Sequence, residues 1–202
     1  MANPNTPYGF RAFRHKNGSP WNGMATPYYI PSTDGSQYQK GDAVISAANG
    51  DVNGIPAVAK SGGTGAVRGV IVGVLPAPPL NQVQQAVSLA LENQYIPATK
   101  SQGYYVLVAD DPDIIFVIQD DGASALTATS CNKNASFTVT NPGTLNQDSA
   151  SVLGTATVAT TSTLNLKMLG LVLDPSNAFG VYADWQVIFN QHELGGPATA
   201  GV

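Results

Sequence analysis

Five aspartates, Asp110, Asp111, Asp113, Asp120 and Asp121, are the residues of this 202-residue chain best equipped for chemistry. Paired carboxylates can divide acid and base roles at a glycosidic bond, and clustered carboxylate oxygens suit Ca²⁺. Their setting argues for another use. In Asp110-Asp111-Pro112-Asp113, proline fixes its own φ near about −65° and keeps Asp111 out of the helical region, while aspartates cap tight turns. Asp120-Asp121-Gly122 reads as a second turn. No D-x-D-x-D-G loop with a distal Glu is present. Turn chemistry is the favoured reading, an ion site the second and catalysis the third.

The other reactive residues are scattered. His15 and His192 lie at opposite ends of the chain, and Cys131 has no partner at metal-ligand spacing, so three or four zinc ligands cannot be drawn from them. Serines abound without a G-x-S-x-G elbow, and an activated nucleophile needs a base in reach. Gly62-Gly63-Thr64-Gly65 lacks the G-K-[ST] ending of a phosphate loop and reads as a hairpin turn. These residues predict no enzyme, no cofactor and no metal.

The elements that would carry them are short and β-type. Tyr104–Ala109 and Ile114–Gln119 are apolar runs rich in β-branched and aromatic residues; the DDPD turn between them predicts a central hairpin. Val106, Val108, Ile114, Phe116 and Ile118 then need other strands to cover them. AVISA (43–47), IPAVA (55–59) and VRGVIVGVL (67–75) follow one another with Asn-Gly and Gly-Gly turns between, and Gly69 and Gly73 predict a bulge or a close backbone approach. Two short polar strands are expected over 135–140 and 151–157. Thr163–Leu173 alternates Leu164, Leu166 and Met168 against Asn165 and Lys167, and Asp174-Pro175-Ser176-Asn177 turns the chain. Tyr182–Asn190 sets Trp185, Val187 and Phe189 on one face. In 81–94 the apolar residues fall near helical spacing, which allows one short helix or a long excursion over 76–100. The sum predicts an all-β fold, a jelly-roll-like sandwich or squat β-barrel of about ten short strands. One domain spans 32–194, and 195–202 is a loose tail.

Residues 1–31 read as an extended N-terminal arm, broken by Pro4, Pro7, Pro20, Pro27 and Pro31. Disordered tails are poor in aromatics, yet this arm carries Tyr8, Phe10, Phe13 and Trp21 beside Arg11 and Arg14. It is expected to dock, either on its own body or on a neighbour, and those six residues are the candidate partner contacts. The first sixteen residues hold Arg11, Arg14 and Lys16 and no acid; the remainder sets six basic residues against thirteen acidic ones, a net −7. An acidic body argues against nucleic acid as the partner. Charged residues make up 11% of the chain, below the roughly 25% of an ordinary soluble domain, which suits a protein that lives assembled. No run approaches the ~18 apolar residues of a membrane helix. The start, MANPNTPYGF, has no apolar signal-peptide core.

Taken in order, NPNTPYGFRAFRHKNGSPWNG, PYYIPSTDG, KGDAV, GIPAV, VRGVIVGV, YYVLVADDPDIIFVIQ, LKMLGLVLDPSNAFG and ADWQVIFNQHEL form a set that resembles head-decoration (capsid cement) proteins of tailed bacteriophages. The likeness runs from about residue 3 to 194 and is weakest over 76–97 and 123–162. It implies a virion protein made in the host cytoplasm and placed on the outer capsid surface. It also implies the major capsid protein and further copies of itself, as a dimer or trimer, as partners. Two other readings stay open: another virion β-protein of the tail tube or head fibre, and a carbohydrate-binding module using Trp21 and surface tyrosines.

Overall fold

Val70 and Ile71 are adjacent in one strand and both fully buried, an arrangement that requires cover on both faces of the sheet. The structure, a computed structural model, describes residues 3–75, 95–142 and 148–195. They hold fourteen strands: β1 (Arg11–His15), β2 (Thr26–Ile30), β3 (Tyr38–Gln39), β4 (Ala43–Gly50), β5 (Pro56–Lys60), β6 (Gly69–Leu75), β7 (Tyr95–Ile96), β8 (Tyr104–Ala109), β9 (Ile114–Gln119), β10 (Asn134–Ala135), β11 (Phe137–Thr138), β12 (Val152–Leu153), β13 (Leu166–Leu171) and β14 (Asp184–Phe189). Two 3₁₀ turns, 128–130 and 155–157, are the helical structure among the described residues. The fold is all-β, as the sequence predicts. The strands that the sequence does not predict are β1 and β2, which lie within the expected arm, and two-residue ladders such as β3 and β7, too short to leave a periodic pattern. The helix or excursion expected within 76–94 and the tail beyond 195 lie outside the described residues.

β2, β5, β4, β6 and β8 close into a barrel in that order, and β1, β9, β14, β13 and β10 form an antiparallel sheet packed against it. The squat barrel is therefore present and accounts for five strands only. Alternation along the barrel strands feeds two cores. Val44, Ile71, Val106 and Val108 point into the barrel with Tyr28, Ile30 and Tyr38. Their neighbours Ala43, Val70 and Ala109 point outward, onto Phe116, Ile118, Met168, Trp185 and Val187 of the sheet.

The expected central hairpin is not formed. β8 pairs with β2 and β6, whereas β9 pairs with β1 and β14. Asp110–Asp113 is the corner at which the chain leaves the barrel and enters the sheet. Each run was apolar enough to be a strand, but both strands are covered by partners distant in sequence, which local pattern cannot show. Gly62–Gly63 likewise makes no hairpin, because β5 and β6 lie on opposite sides of β4. Gly69 is the predicted close approach: a Cβ there would stand 2.4 Å from the Ala109 carbonyl oxygen. The predicted bulge falls between Ile71 and Gly73.

Within the expected arm, the described residues 3–31 are not irregular. Arg11–His15 pairs with β9 and Thr26–Ile30 closes the barrel. The prolines mark the ends and turns of these strands, and Pro27 is tolerated because the β2–β5 seam is paired only at Tyr29 and Ala57. The Asn17-Gly18 and Asn22-Gly23 turns form as predicted, with both glycines at positive φ. Both edges of the sheet are closed by the chain itself. Pro20 bridges Arg14 on the outer side of β1, and Ala159 exchanges two hydrogen bonds of 2.8 and 2.9 Å with Asn134 of β10.

Candidate functional site

The six candidate contact residues divide sharply in this fold. Phe10 precedes β1 and is buried at the centre of an aromatic cluster, edge-on to Phe137 at 5.0 Å and 5.2 Å from Phe189. It is a core residue and offers nothing to a partner, which corrects its place among the contacts. An aromatic after a proline-rich lead-in gives no sign from sequence of which way its ring will turn.

Along β1 the pleat turns Ala12 inward against the sheet core and leaves Arg11 and Phe13 outside. Register with β9 shifts between Ala12 and Arg14, so Phe13 sits on a bulge, where its ring is 48% exposed. The Arg11 guanidinium stacks 4.0 Å over the Tyr8 ring and lies 3.4 Å from Asp148. Tyr8 is half-buried and donates its hydroxyl to Asp184 Oδ1 at 2.8 Å. Burial, then the Asp184 charge, holds the Tyr8 phenol well above its ordinary range, and burial also raises the Asp184 carboxyl. Arg14 donates to Gln186 Oε1 at 3.1 Å and lies 5.8 Å from the Phe13 ring. Trp21 is half-buried against the sheet core and donates its indole N–H to the Met24 carbonyl at 3.3 Å. Tyr8, Arg11, Phe13 and Arg14 thus form one strip along β1, with Trp21 beside its far end.

The aspartates serve the fold. Asp111 Oδ1 accepts from Asp113 N–H at 2.8 Å, and Asp121 Oδ1 from Ala123 N–H at 3.0 Å and from the Thr155 hydroxyl at 2.6 Å. Asp110 accepts from the hydroxyls of Thr26 at 2.9 Å and Tyr28 at 2.7 Å. Turn chemistry, favoured from the sequence, describes Asp111 and Asp121 well, whereas the Asp113 carboxylate pairs with Lys16 Nζ at 3.0 Å. Asp120 exceeds it: fully buried, it receives N–H bonds from Gly122, Tyr182, Ala183 and the Trp185 indole at 2.7 to 3.2 Å. Burial pushes its carboxyl up while those four donors oppose the shift. Among the described residues no group of three His, Cys, Asp or Glu side chains is placed to hold a metal ion.

A second polar seam was not visible in the sequence. Arg68 Nε donates to the Tyr28 oxygen at 2.7 Å, and Glu193 Oε1 accepts from Ser46 N–H at 2.9 Å. Together with Asp110 these groups tie β2, β4, β6 and the C-terminal segment to the barrel–sheet corner. Its members lie up to 165 positions apart in the chain, so no local motif could announce it. Neither a family model, nor a curated protein, nor a solved structure matches this chain.

Proposed function

We propose that this chain is a structural protein of a tailed-phage virion that binds the outer capsid surface and braces neighbouring major capsid subunits without catalysing a reaction. The observation that carries this reading is the strip along β1. Arg11 and Phe13 stand out from an edge strand of the sheet, held in place by its pairing with β9, and arginines and aromatics dominate interface energetics. The phrases that resemble head-decoration proteins support it, as does the low charge of the chain. Both sheet edges are occupied by the chain itself, which favours partners that dock on side chains over partners that add a strand. Copies arranged as a dimer or trimer would present the strip several times to a symmetric shell, where weak contacts add through avidity.

Cosedimentation of the purified protein with empty capsid shells tests the reading. Binding is expected to weaken about tenfold or more in Phe13→Ala and Arg11→Glu, and to fall with salt as part of the attraction is screened. Absence of shell binding refutes it. Labelled protein found only on tails would favour a tail-tube role. Saturable binding to glycans with none to shells would favour a carbohydrate-binding module.

A further inference from the structure

Beside the β1 strip, a cavity of about 260 Å³ opens between the 21–25 loop and the barrel–sheet corner. Its walls are Trp21, Met24 and Ile114, and its polar lining includes His15, Asp110 and Asp111. Three features define what such a cup can hold. The indole N–H, Trp21's one hydrogen-bond donor, is spent on the Met24 carbonyl, so the ring offers a ligand only its π surface. Asp110 and Asp111 are acceptors, and their carboxylates keep lone pairs beyond the Thr26, Tyr28, Asp113 and His15 contacts they already make. Asn22 Oδ1 is likewise engaged as an acceptor, from Met24 N–H at 3.1 Å.

A π face with a surplus of anionic acceptors attracts a cation. A sugar would need donors to match these acceptors, and the side-chain donors of the lining are few, the Asn22 amide and the His15 ring among them. A metal ion would need a ligand set that the described residues do not assemble. We propose that this cavity binds an organic ammonium group on an apolar stem, with the stem against Trp21 and Met24 and the nitrogen at Asp110 and Asp111. Two sources share that chemistry, a lysine side chain of a partner protein and a free alkyl diamine. The inference does not depend on the capsid reading.

The test uses the two tryptophans. Trp185 is fully buried, so a ligand-induced change in emission reports on Trp21. The full chain is titrated at constant ionic strength with cadaverine, with Nα-acetyl-lysine amide and with neutral N-acetylglucosamine. Saturable responses are expected for the two amines, with a Kd on the order of 1 mM, and none for the sugar. Half-exposed Asp111 can change without disturbing the core, and Asp111→Asn is expected to weaken amine binding about two- to fivefold. Asp110→Asn should weaken it about tenfold. Tighter binding of the lysine derivative points to a partner's side chain, and tighter binding of cadaverine to a free diamine. No saturation by either amine, equal saturation by the sugar, or unchanged affinity in Asp111→Asn overturns the proposal.

Discussion

The Tyr28 hydroxyl donates to Asp110 Oδ2 at 2.7 Å across 82 positions of sequence, and so fastens the barrel strand β2 to the corner where the chain turns into the sheet. The same oxygen accepts from Arg68 Nε at 2.7 Å. Burial first, then the bond to Asp110, pushes the Tyr28 pKa up to about 12. An acid whose folded pKa is raised keeps its contribution below the unfolded value, near about 10, and loses it as pH climbs toward the folded one. Stability of the wild-type protein should therefore decline between about pH 10 and 12. Tyr28→Phe should lose about 1–3 kcal/mol at neutral pH, because Asp110 and Arg68 each lose a partner, and should show a shallower alkaline decline. Urea denaturation from pH 7 upward checks both; an unchanged alkaline slope would remove Tyr28 from the account.

His192 works in the opposite pH direction. It is buried, its Nδ1 accepts Leu194 N–H at 3.1 Å, and Nε2 has no partner. Burial holds its pKa below the ordinary 6.5 against the pull of Asp110, Glu193 and Asp111, while Arg68 adds to the depression. The folded state thus binds fewer protons than the unfolded chain. The stability involved is complete above 6.5 and is lost as pH falls below it, toward the folded pKa. Denaturation midpoints should drop between about pH 7 and 5, and His192→Gln should flatten that drop while leaving the raised Asp120 and Asp184 carboxyls unchanged in the comparison.

The cluster around Phe10 sets a stability test for the first strand. Phe10→Ala or Phe116→Ala should each cost roughly 3–5 kcal/mol, since both rings are almost fully buried among aromatics. Phe13→Ala, three positions beyond Phe10 on the bulge, should cost under about 1 kcal/mol. Removal of residues 2–23 takes β1 and Phe10 away together and should unfold the protein. A truncated chain that melts like the wild type would mean that β1 is not part of the sheet in solution.

Gly69→Ala offers a sharper local probe. The added methyl would meet the Ala109 oxygen at 2.4 Å and Val108 Cγ1 at 2.7 Å, so the β6–β8 ladder must move, at a cost of about 1–3 kcal/mol. Gly170→Ala, with open space around its Cβ, should be neutral by the same urea assay.

What the sequence told, and what it hid, follows from the range of each interaction. Trp185, Val187 and Phe189 alternate cleanly with Asp184, Gln186 and Ile188, and all three are buried as the pattern predicts. Asn165 breaks the equivalent pattern before β13: read as outward, it is buried because its side-chain amide bonds the Gly63 carbonyl at 2.9 Å, a partner 102 positions away. The turns at Asn17-Gly18, Asn22-Gly23 and Asp120-Asp121-Gly122 were legible because their chemistry is local, whereas what the Gly62-Gly63 and Asp110–Asp113 bends connect was not. Strand partnership was not. Ile114–Gln119 could be read as a strand, but its neighbours β1 and β14 stand on either side of it in the chain, and only the folded sheet reveals them. The exposed strip was half legible: composition singled out Arg11 and Phe13 along with Phe10, and only the pleat and its bulge separate surface from core.

The division of strands between barrel and sheet also orders the making of the molecule. All five barrel strands lie between Thr26 and Ala109, whereas the sheet gathers segments from Arg11 to Phe189. On a ribosome releasing the chain from its N-terminus, the barrel can close while β1 waits, unpaired, for β9, and β9 in turn waits for β14. The last long strand to be made is the one that completes the sheet. Hydrogen-exchange pulses during refolding should accordingly protect amides of β4, β6 and β8 before those of β1 and β9, and the slow phase should belong to the closure that joins the two ends of the chain.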